Sequence, residues 1–344
     1  MPSLAQDEHI LPLREPKSEH AFDAVKARPL KFPLDISPTV LHPYMELIRL
    51  EKSTGTKLMF WPFVWGLTMA AHAVQSTQPM SLYDYALRLC LCLVWAFVVR
   101  SSACTINDIF DRDMDAAVER CKVRPLPSGR ISVFAASIYV GIQYLVGVAV
   151  FYFTLEGVAL YVALFQLLPL FAIYPLLKRV TYWPQAWLGF AMNFGLITAW
   201  VSVVGSLDFK IIGCGMLGCW CWTMVYDTIY ACQDITDDLK AGVKSTAILF
   251  GNRIRPLLIA CAVVFVAWLA AAGYLNAQGP VYFVVSVGGT ALHLIWQFNT
   301  VDLDVPSSCW ENFNRNGQLG WIVWLGLVLD WRAATLFCRG AEII

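Results

Sequence analysis

Charge is scarce in this chain of 344 residues: Asp, Glu, Lys and Arg make up 15%, against about 25% in an ordinary soluble domain. With 58% hydrophobic residues, that deficit argues against a soluble fold. The net charge is zero, so no global field recruits nucleic acid. Histidine is rare. The five residues, His9, His20, His42, His72 and His293, form no cluster. The eleven cysteines are scattered and lack zinc-ligand spacing. Cys90 and Cys92, like Cys219 and Cys221, sit inside apolar runs and read as small buried hydrophobes, with no disulfide framework. No Walker loop, Gly-x-Ser-x-Gly elbow or dinucleotide fingerprint occurs. The first residues contain no apolar stretch for a signal peptide. Asp7, Glu8, Glu15, Glu19 and Asp23 argue against a mitochondrial presequence, which is acid-poor. Residues 1–40 are expected to be a polar, disordered cytosolic leader.

Apolar runs are abundant. About nine are long enough, or nearly so, to cross a bilayer as helices: 57–75, 83–103, 133–153, 158–176, 184–204, 211–226, 257–275, 280–297 and 319–337. The sixth is short for a span. The fold class is therefore all-α, a polytopic membrane protein. Lys and Arg concentrate before the first run and after each even-numbered one, which places those loops in the cytosol. Residues 41–52 read as an interfacial helix, with Leu41, Tyr44, Met45 and Ile48 on one face.

Two acid clusters stand out against this background, both at the cytosolic ends of apolar runs. If the second run stays helical past Ser101, Asn107, Asp111 and Asp115 share a face, with Asp108 beside them. Asp227, Tyr230, Asp234 and Asp238 form a second stripe, with Asp237 adjacent. Like charges at these spacings repel, and a divalent cation removes the conflict. Magnesium takes one or two carboxylates and fills its shell with water and substrate phosphate. Two facing stripes suit two metals around one diphosphate. Candidate phosphate-binding cations are Arg49, Lys52, Lys122, Arg124, Lys178 and Lys244, with Arg179 nearby. Arg124 opens Arg-Pro-Leu-Pro-Ser-Gly, a stiff turn that fixes its direction.

Four stretches resemble the UbiA superfamily of intramembrane prenyltransferases, over roughly residues 45–335. They are Arg49-Leu-Glu-Lys52-Ser-Thr-Gly55-Thr with Pro62; Asn107-Asp108-x-x-Asp111-x-x-x-Asp115 with Arg124-Pro-Leu-Pro-Ser-Gly129; Tyr174-Pro-Leu-Leu-Lys178-Arg179; and Asp227-x-x-Tyr230-x-x-x-Asp234-x-x-x-Asp238 with Gly242-x-Lys244-Ser245. The chain departs from the family pattern at Glu51-Lys52-Ser53, often Asp-Lys-Pro, and at Cys232, often His. The leader and Cys309-Trp310-x-x-Phe313-x-x-Asn316 look most like fungal relatives of 4-hydroxybenzoate polyprenyltransferase, including those that prenylate aromatic polyketides for meroterpenoids.

The resemblance implies that residues 41–344 form about nine helices around a central cavity. It implies Mg²⁺ as cofactor, held by Asn107, Asp108, Asp111, Asp115, Asp227, Asp234 and Asp238, and an isoprenyl diphosphate as donor. Asp111, Asp115, Asp234, Asp238, Lys178 and Tyr174 are the implied catalytic residues. The expected reaction moves a farnesyl group to a ring carbon of a phenolic acid, with released pyrophosphate or Asp115 taking the ring proton. The alternative is 4-hydroxybenzoate polyprenyl transfer in ubiquinone synthesis. The rival of another class is a transporter, whose acids would lie nearer mid-membrane at broken helices. The bilayer is a partner; no protein partner is implied. The acid-containing leader favours an endoplasmic-reticulum-type membrane, with the site facing the cytosol.

Overall fold

In lipid, a run of apolar residues can satisfy its backbone only as a helix or a closed barrel, and this chain forms helices. The computed structural model describes residues 31–341, so most of the expected leader lies outside the described residues. Residues 31–41 carry two short 3₁₀ turns, Leu34–Ile36 and Thr39–Leu41. Then follow α1 (His42–Leu47), α2 (Ser53–Ala73), α3 (Leu82–Asp115), α4 (Val133–Thr154), α5 (Gly157–Phe165) and α6 (Phe171–Val180). A π-turn at Gln166–Leu170 joins α5 to α6 at Pro169, whose missing N–H cannot serve an α-helical ladder. The second half contains α7 (Pro184–Ala191), α8 (Phe194–Val204), α9 (Phe209–Ala231), α10 (Ile235–Ala241), α11 (Thr246–Phe250), α12 (Ile254–Leu275), α13 (Pro280–Tyr282), α14 (Gly289–Thr300) and α15 (Pro306–Ala341). Among the described residues there is no strand.

Each apolar run lies in these helices. Seven rods among the described residues are long and apolar enough to cross a membrane. The runs at 57–75 and 319–337 fall in α2 and α15, which are not among the seven. α2 is interior, whereas α15 has a buried face and an exposed one with Trp321, Leu325 and Leu329. α2 packs against α3, α8 and α15, and is buried almost without break from Leu58 to Ala71. α15 buries Asn312, Asn316 and Asp330. A helix shielded by neighbours keeps polar groups that a lipid-facing one cannot.

Local signals set the helix ends. Ser81 Oγ accepts from Asp84 N (3.0 Å) at the start of α3, and Ser132 Oγ from Ala135 N (3.1 Å) at the start of α4. Asp208 Oδ1 accepts from Lys210 N and Ile211 N at the start of α9. Two expectations need correction. The interfacial helix spans only His42–Leu47, because Arg49 takes φ 57° and breaks it; its buried residues are His42 and Leu47, not the expected stripe. The sixth run is a full span, Phe209–Ala231, because the helix continues through Asp227 and Tyr230.

Close packing of α2 on α8 depends on Gly66, where a Cβ would lie 2.3 Å from the Leu196 carbonyl oxygen. Gly66→Ala is expected to cost about 1–3 kcal/mol by overpacking. Gly141→Ala, with nothing within 4 Å of its Cβ, is expected to be neutral or mildly stabilising. Thermal unfolding of both variants in detergent checks the pair; equal midpoints would contradict it.

Candidate functional site

α3 is 34 residues long and carries its apolar span straight into the first acid cluster. Asn107, Asp108, Asp111 and Asp115 therefore point into one cavity of ≈ 260 Å³ at the end of the bundle. Asp108 is fully buried, and Asp111 and Asp115 nearly so. A buried carboxylate is costly unless paired, and each has a cation from another element. Arg49 Nη2, in the α1–α2 turn, donates to Asp108 Oδ1 at 2.7 Å. Lys178 Nζ, on α6, donates to Asp111 Oδ2 at 2.7 Å and to Asn107 Oδ1 at 3.1 Å, above the Tyr174 ring. Arg124 Nη1 donates to Asp115 Oδ2 at 2.6 Å and lies 3.4 Å from Asp108 Oδ1. The turn that aims Arg124 is closed by Ser128 Oγ on the Arg124 carbonyl (2.6 Å) and by Gly129 at φ 73°.

The second cluster meets the first across the cavity but is not one stripe. α9 ends at Ala231, and Asp234 stands just before α10 with φ −114°. Asp227 and Tyr230 belong to α9, and Asp238 to α10. All four line the cavity. Arg120 grips Asp234 with two bonds, Nε to Oδ1 (3.0 Å) and Nη2 to Oδ2 (2.6 Å), and lies over the Tyr230 ring. Burial and then the Asp234 charge push Asp238 up to about 7. Gly242, at φ 72°, turns the chain so that Lys244 N donates to the Lys178 carbonyl (2.9 Å).

Most expected site residues thus converge. Lys52 and Lys244 line the cavity, with Lys244 Nζ over the Tyr182 ring. Lys122 does not line it; its ammonium is paired with Glu119 at 2.6 Å near the surface. Arg120 serves instead, and no helical periodicity in that loop distinguishes it from Lys122. Arg100 was also missed, since it falls inside the apolar run 83–103. An arginine within such a run is a signal, shared here with Arg88, which donates to the Ser202 carbonyl at 3.2 Å and does not line the cavity. Arg100 lines the cavity below Asn107, stacked so tightly on Gly55 that a Cβ there would meet its Nε at 2.3 Å. Its buried Nε has no hydrogen-bond partner among the described residues.

The donor set fits a magnesium that relies on few protein ligands. Among the described residues no three His, Cys, Asp or Glu side chains converge to enclose a metal alone. Asp108 Oδ2 and Asp111 Oδ1, however, are buried with no partner. Each offers one oxygen, the one or two carboxylates that magnesium uses beside phosphate.

Fold and site define a class: an all-helical, multi-pass membrane protein whose acids and bases converge on one cavity. The chain belongs to the UbiA prenyltransferase family, whose model matches residues 59–324. It is 44% identical over 296 residues to the UbiA prenyltransferase claS of Ampulloclitocybe clavipes, covering 86% of this chain and 93% of that one. It is 36% identical over 333 residues to the mitochondrial 4-hydroxybenzoate polyprenyltransferase of Schizosaccharomyces pombe, covering 91% of each. The fold matches a UbiA homolog from Aeropyrum pernix K1 with a TM-score of 0.65 at 23% identity, over 80% of this chain and 97% of that one. It also matches a UbiA homolog from Archaeoglobus fulgidus bound to GPP and Mg²⁺, with a TM-score of 0.61 at 18% identity, over 83% and 99%.

Lys52 supplies a pH test. Burial and then the Arg49 charge lower its pKa to about 8. It is charged below that value and loses its charge as pH rises through it. Affinity for inorganic pyrophosphate is expected to fall more steeply above pH about 8 in the wild type than in Lys52→Arg. Titration of pyrophosphate itself cancels in the comparison. Parallel curves would remove Lys52 from the anion site.

Proposed function

We propose that the chain catalyses Mg²⁺-dependent transfer of an isoprenyl group, a farnesyl group in the first instance, from its diphosphate to a ring carbon of a phenolic or polyketide acid. The observation that carries this reading is the meeting of two acid clusters and the cations Arg49, Arg120, Arg124, Lys178 and Lys244 around one cavity. An intramembrane cavity of this charge pattern suits a ligand with a polyanionic head and an apolar tail. The relatives named prenyltransferases support it, as does the fold shared with a homolog bound to GPP and Mg²⁺.

Asn107, Asp108, Asp111 and Asp115, with Asp227, Asp234 and Asp238 across the cavity, would hold the magnesium. Its chemistry is to neutralise charge on the departing diphosphate. Lys178, Arg124, Arg120 and Lys244 share that task, and Arg49 and Lys52 close the rim. As the allylic C–O bond breaks, the pyrophosphate leaves with the bonding pair. The acceptor ring carbon then bonds to the allylic carbon, and the ring loses a proton to pyrophosphate or Asp115. Water is kept from the cation by the surrounding apolar helices. Arg100 gives the acceptor an anchor: a guanidinium charge that lines the cavity within the apolar run suits the carboxylate of an aromatic acid.

Membranes containing the chain, supplied with Mg²⁺, farnesyl diphosphate and a panel of 4-hydroxybenzoate and methylated orsellinic-type acids, are expected to yield a C-prenylated polyketide acid by mass spectrometry. Product from 4-hydroxybenzoate alone, with longer donors, would assign the chain to quinone synthesis, a reading favoured by its similarity to 4-hydroxybenzoate polyprenyltransferases. The membrane we propose is of the endoplasmic-reticulum type, and a fluorescent fusion in mitochondria would overturn that. Asp111→Asn and Asp234→Asn are each expected to lose at least about 100-fold in kcat/KM and to lower the thermal midpoint, because Lys178 and Arg120 are left without their counter-charges; activity within tenfold of wild type would refute the metal-diphosphate arrangement. Arg100→Gln is expected to raise the acceptor KM by about 10- to 100-fold, the loss of a hydrogen bond to a charged group, and to spare the donor KM.

A further inference from the structure

The segment Cys309-Trp310-x-x-Phe313-x-x-Asn316 has no part in holding a diphosphate, yet two of its rings line the cavity. Trp310 and Phe313 sit three residues apart on the first turns of α15, so they share a face. Their rings stack at 5.7 Å with planes 27° apart. Tyr230 of α9 lies 4.8 Å from Phe313 and 6.2 Å from Trp310, and Tyr226 lies 6.0 Å from Phe313. Four rings from two helices thus make one continuous aromatic wall on the α9–α15 side, beside Asp227 and Asp234 and with Arg120 over the Tyr230 ring, while the α3–α6 side carries Asn107, Asp111 and Lys178 and no such wall.

The wall is braced from behind. Trp222 Nε1 donates to Asn316 Oδ1 at 3.0 Å, and Trp61 Nε1 donates to the Gly317 carbonyl at 2.9 Å. Thr54 Oγ1 donates to Asn314 Oδ1, and Asn314 Nδ2 donates back to the Trp310 carbonyl at 2.9 Å. α2, α9 and α15 are therefore locked together at the level of the rings. Trp310 keeps 37% of its surface exposed, so the wall begins at an exposed ring and runs inward to buried Tyr226. An isoprenyl tail needs only apolar surface, which the lipid-facing helices supply in excess.

We propose that Trp310 and Phe313, backed by Tyr230, form the platform on which the aromatic ring of the acceptor stacks, and that Trp310 sets which acceptors enter. This rests on the reading of an aromatic acid as acceptor. Trp310 and Phe313 are specificity-determining residues, and their contribution comes from ring faces.

The test measures binding of two probes to purified full-length protein in detergent, by calorimetry: 4-hydroxybenzoate, and separately farnesyl thiodiphosphate with Mg²⁺. The variants are Trp310→Leu, which keeps bulk and removes the ring, and Trp310→Phe, which restores a ring, with Phe313→Leu as a second site. The leucine variants are expected to lose about tenfold in affinity for the aromatic acid, the worth of one aromatic pair, with donor affinity unchanged; Trp310→Phe recovers most of the loss. Unaltered acid affinity in both leucine variants would overturn the platform. A fall in donor affinity instead would also overturn it and assign the wall to the isoprenyl chain. A wild type that binds the donor analogue but neither 4-hydroxybenzoate nor an orsellinic-type acid would defeat the acceptor reading itself, and the platform with it. Failure in the variants alone would leave that reading standing.

Discussion

Ionised side chains at the edge of a bilayer are costly unless each finds a counter-charge, and that constraint organises one end of this protein. Asp108, Asp111 and Asp115 sit on a single apolar helix, yet none is neutralised by it. Their partners come from the turn before α2, from α6 and from the loop after α3. Asp234, on the far side, is held from that same loop by Arg120. The ion pairs are thus crosslinks among segments that lie far apart in sequence. Removing one member of a buried pair typically costs 3–5 kcal/mol, because the other charge is stranded. The positive φ at Arg49 is a smaller cost, about 1–3 kcal/mol for such strain. Asp108 and the Glu46 carbonyl, which accepts from Arg49 Nη1 at 2.8 Å, hold that residue in place.

The same constraint explains which features were legible in the sequence. Lipid demands long apolar runs, so the membrane rods were evident, and the spacing of Asn107, Asp111 and Asp115 was informative because α3 does not stop at the membrane edge. The second cluster misled: Asp227 and Tyr230 keep helical spacing, but the helix breaks after Ala231, and Asp234 reaches the cavity from a turn. Spacing cannot reveal that break, because Cys232 and Gln233 are not strong helix breakers. Arg120 and Lys122 are two residues apart in an irregular loop. Only tertiary structure shows that one grips Asp234 and the other pairs with Glu119. Arg100 was not legible because the apolar run 83–103 also holds Asp84 and Arg88, and hydropathy does not tell which of the charges faces the cavity.

Burial also accounts for the polar groups of α2 and of the inward face of α15, the two helices outside the seven apolar rods. α2 and α15 are where polar groups cross the bundle interior. Thr68 Oγ1 meets Tyr85 Oη at 2.7 Å, Trp324 Nε1 donates to Tyr85 Oη at 2.7 Å, and Gly320 allows the Trp61 ring to pass within 2.1 Å of where a Cβ would be. Such helices need shape and hydrogen bonding more than apolarity. They fix the first turns of α15 rigidly enough for its rings to serve as a wall.

The cavity that results has acids on two facing sides and aromatic rings beside one of them, and the arrangement follows from the topology. Helices that end in charged loops, α3 and α9, bring carboxylates to the rim. α6 brings the lysine that ties the first cluster, and α15 enters with aromatic residues. In the proposed reading the diphosphate would lie between the two acid clusters and the planar ring of the acceptor on the aromatic faces of α15. Asp108 Oδ2 and Asp111 Oδ1 lack partners among the described residues while their sister oxygens hold Arg49 and Lys178, so in the proposed reading these carboxylates would hold a magnesium without giving up the protein's own cations. Charge of either sign is thus preorganised around the cavity, and fixed electrostatics of this kind lower a barrier where charge develops.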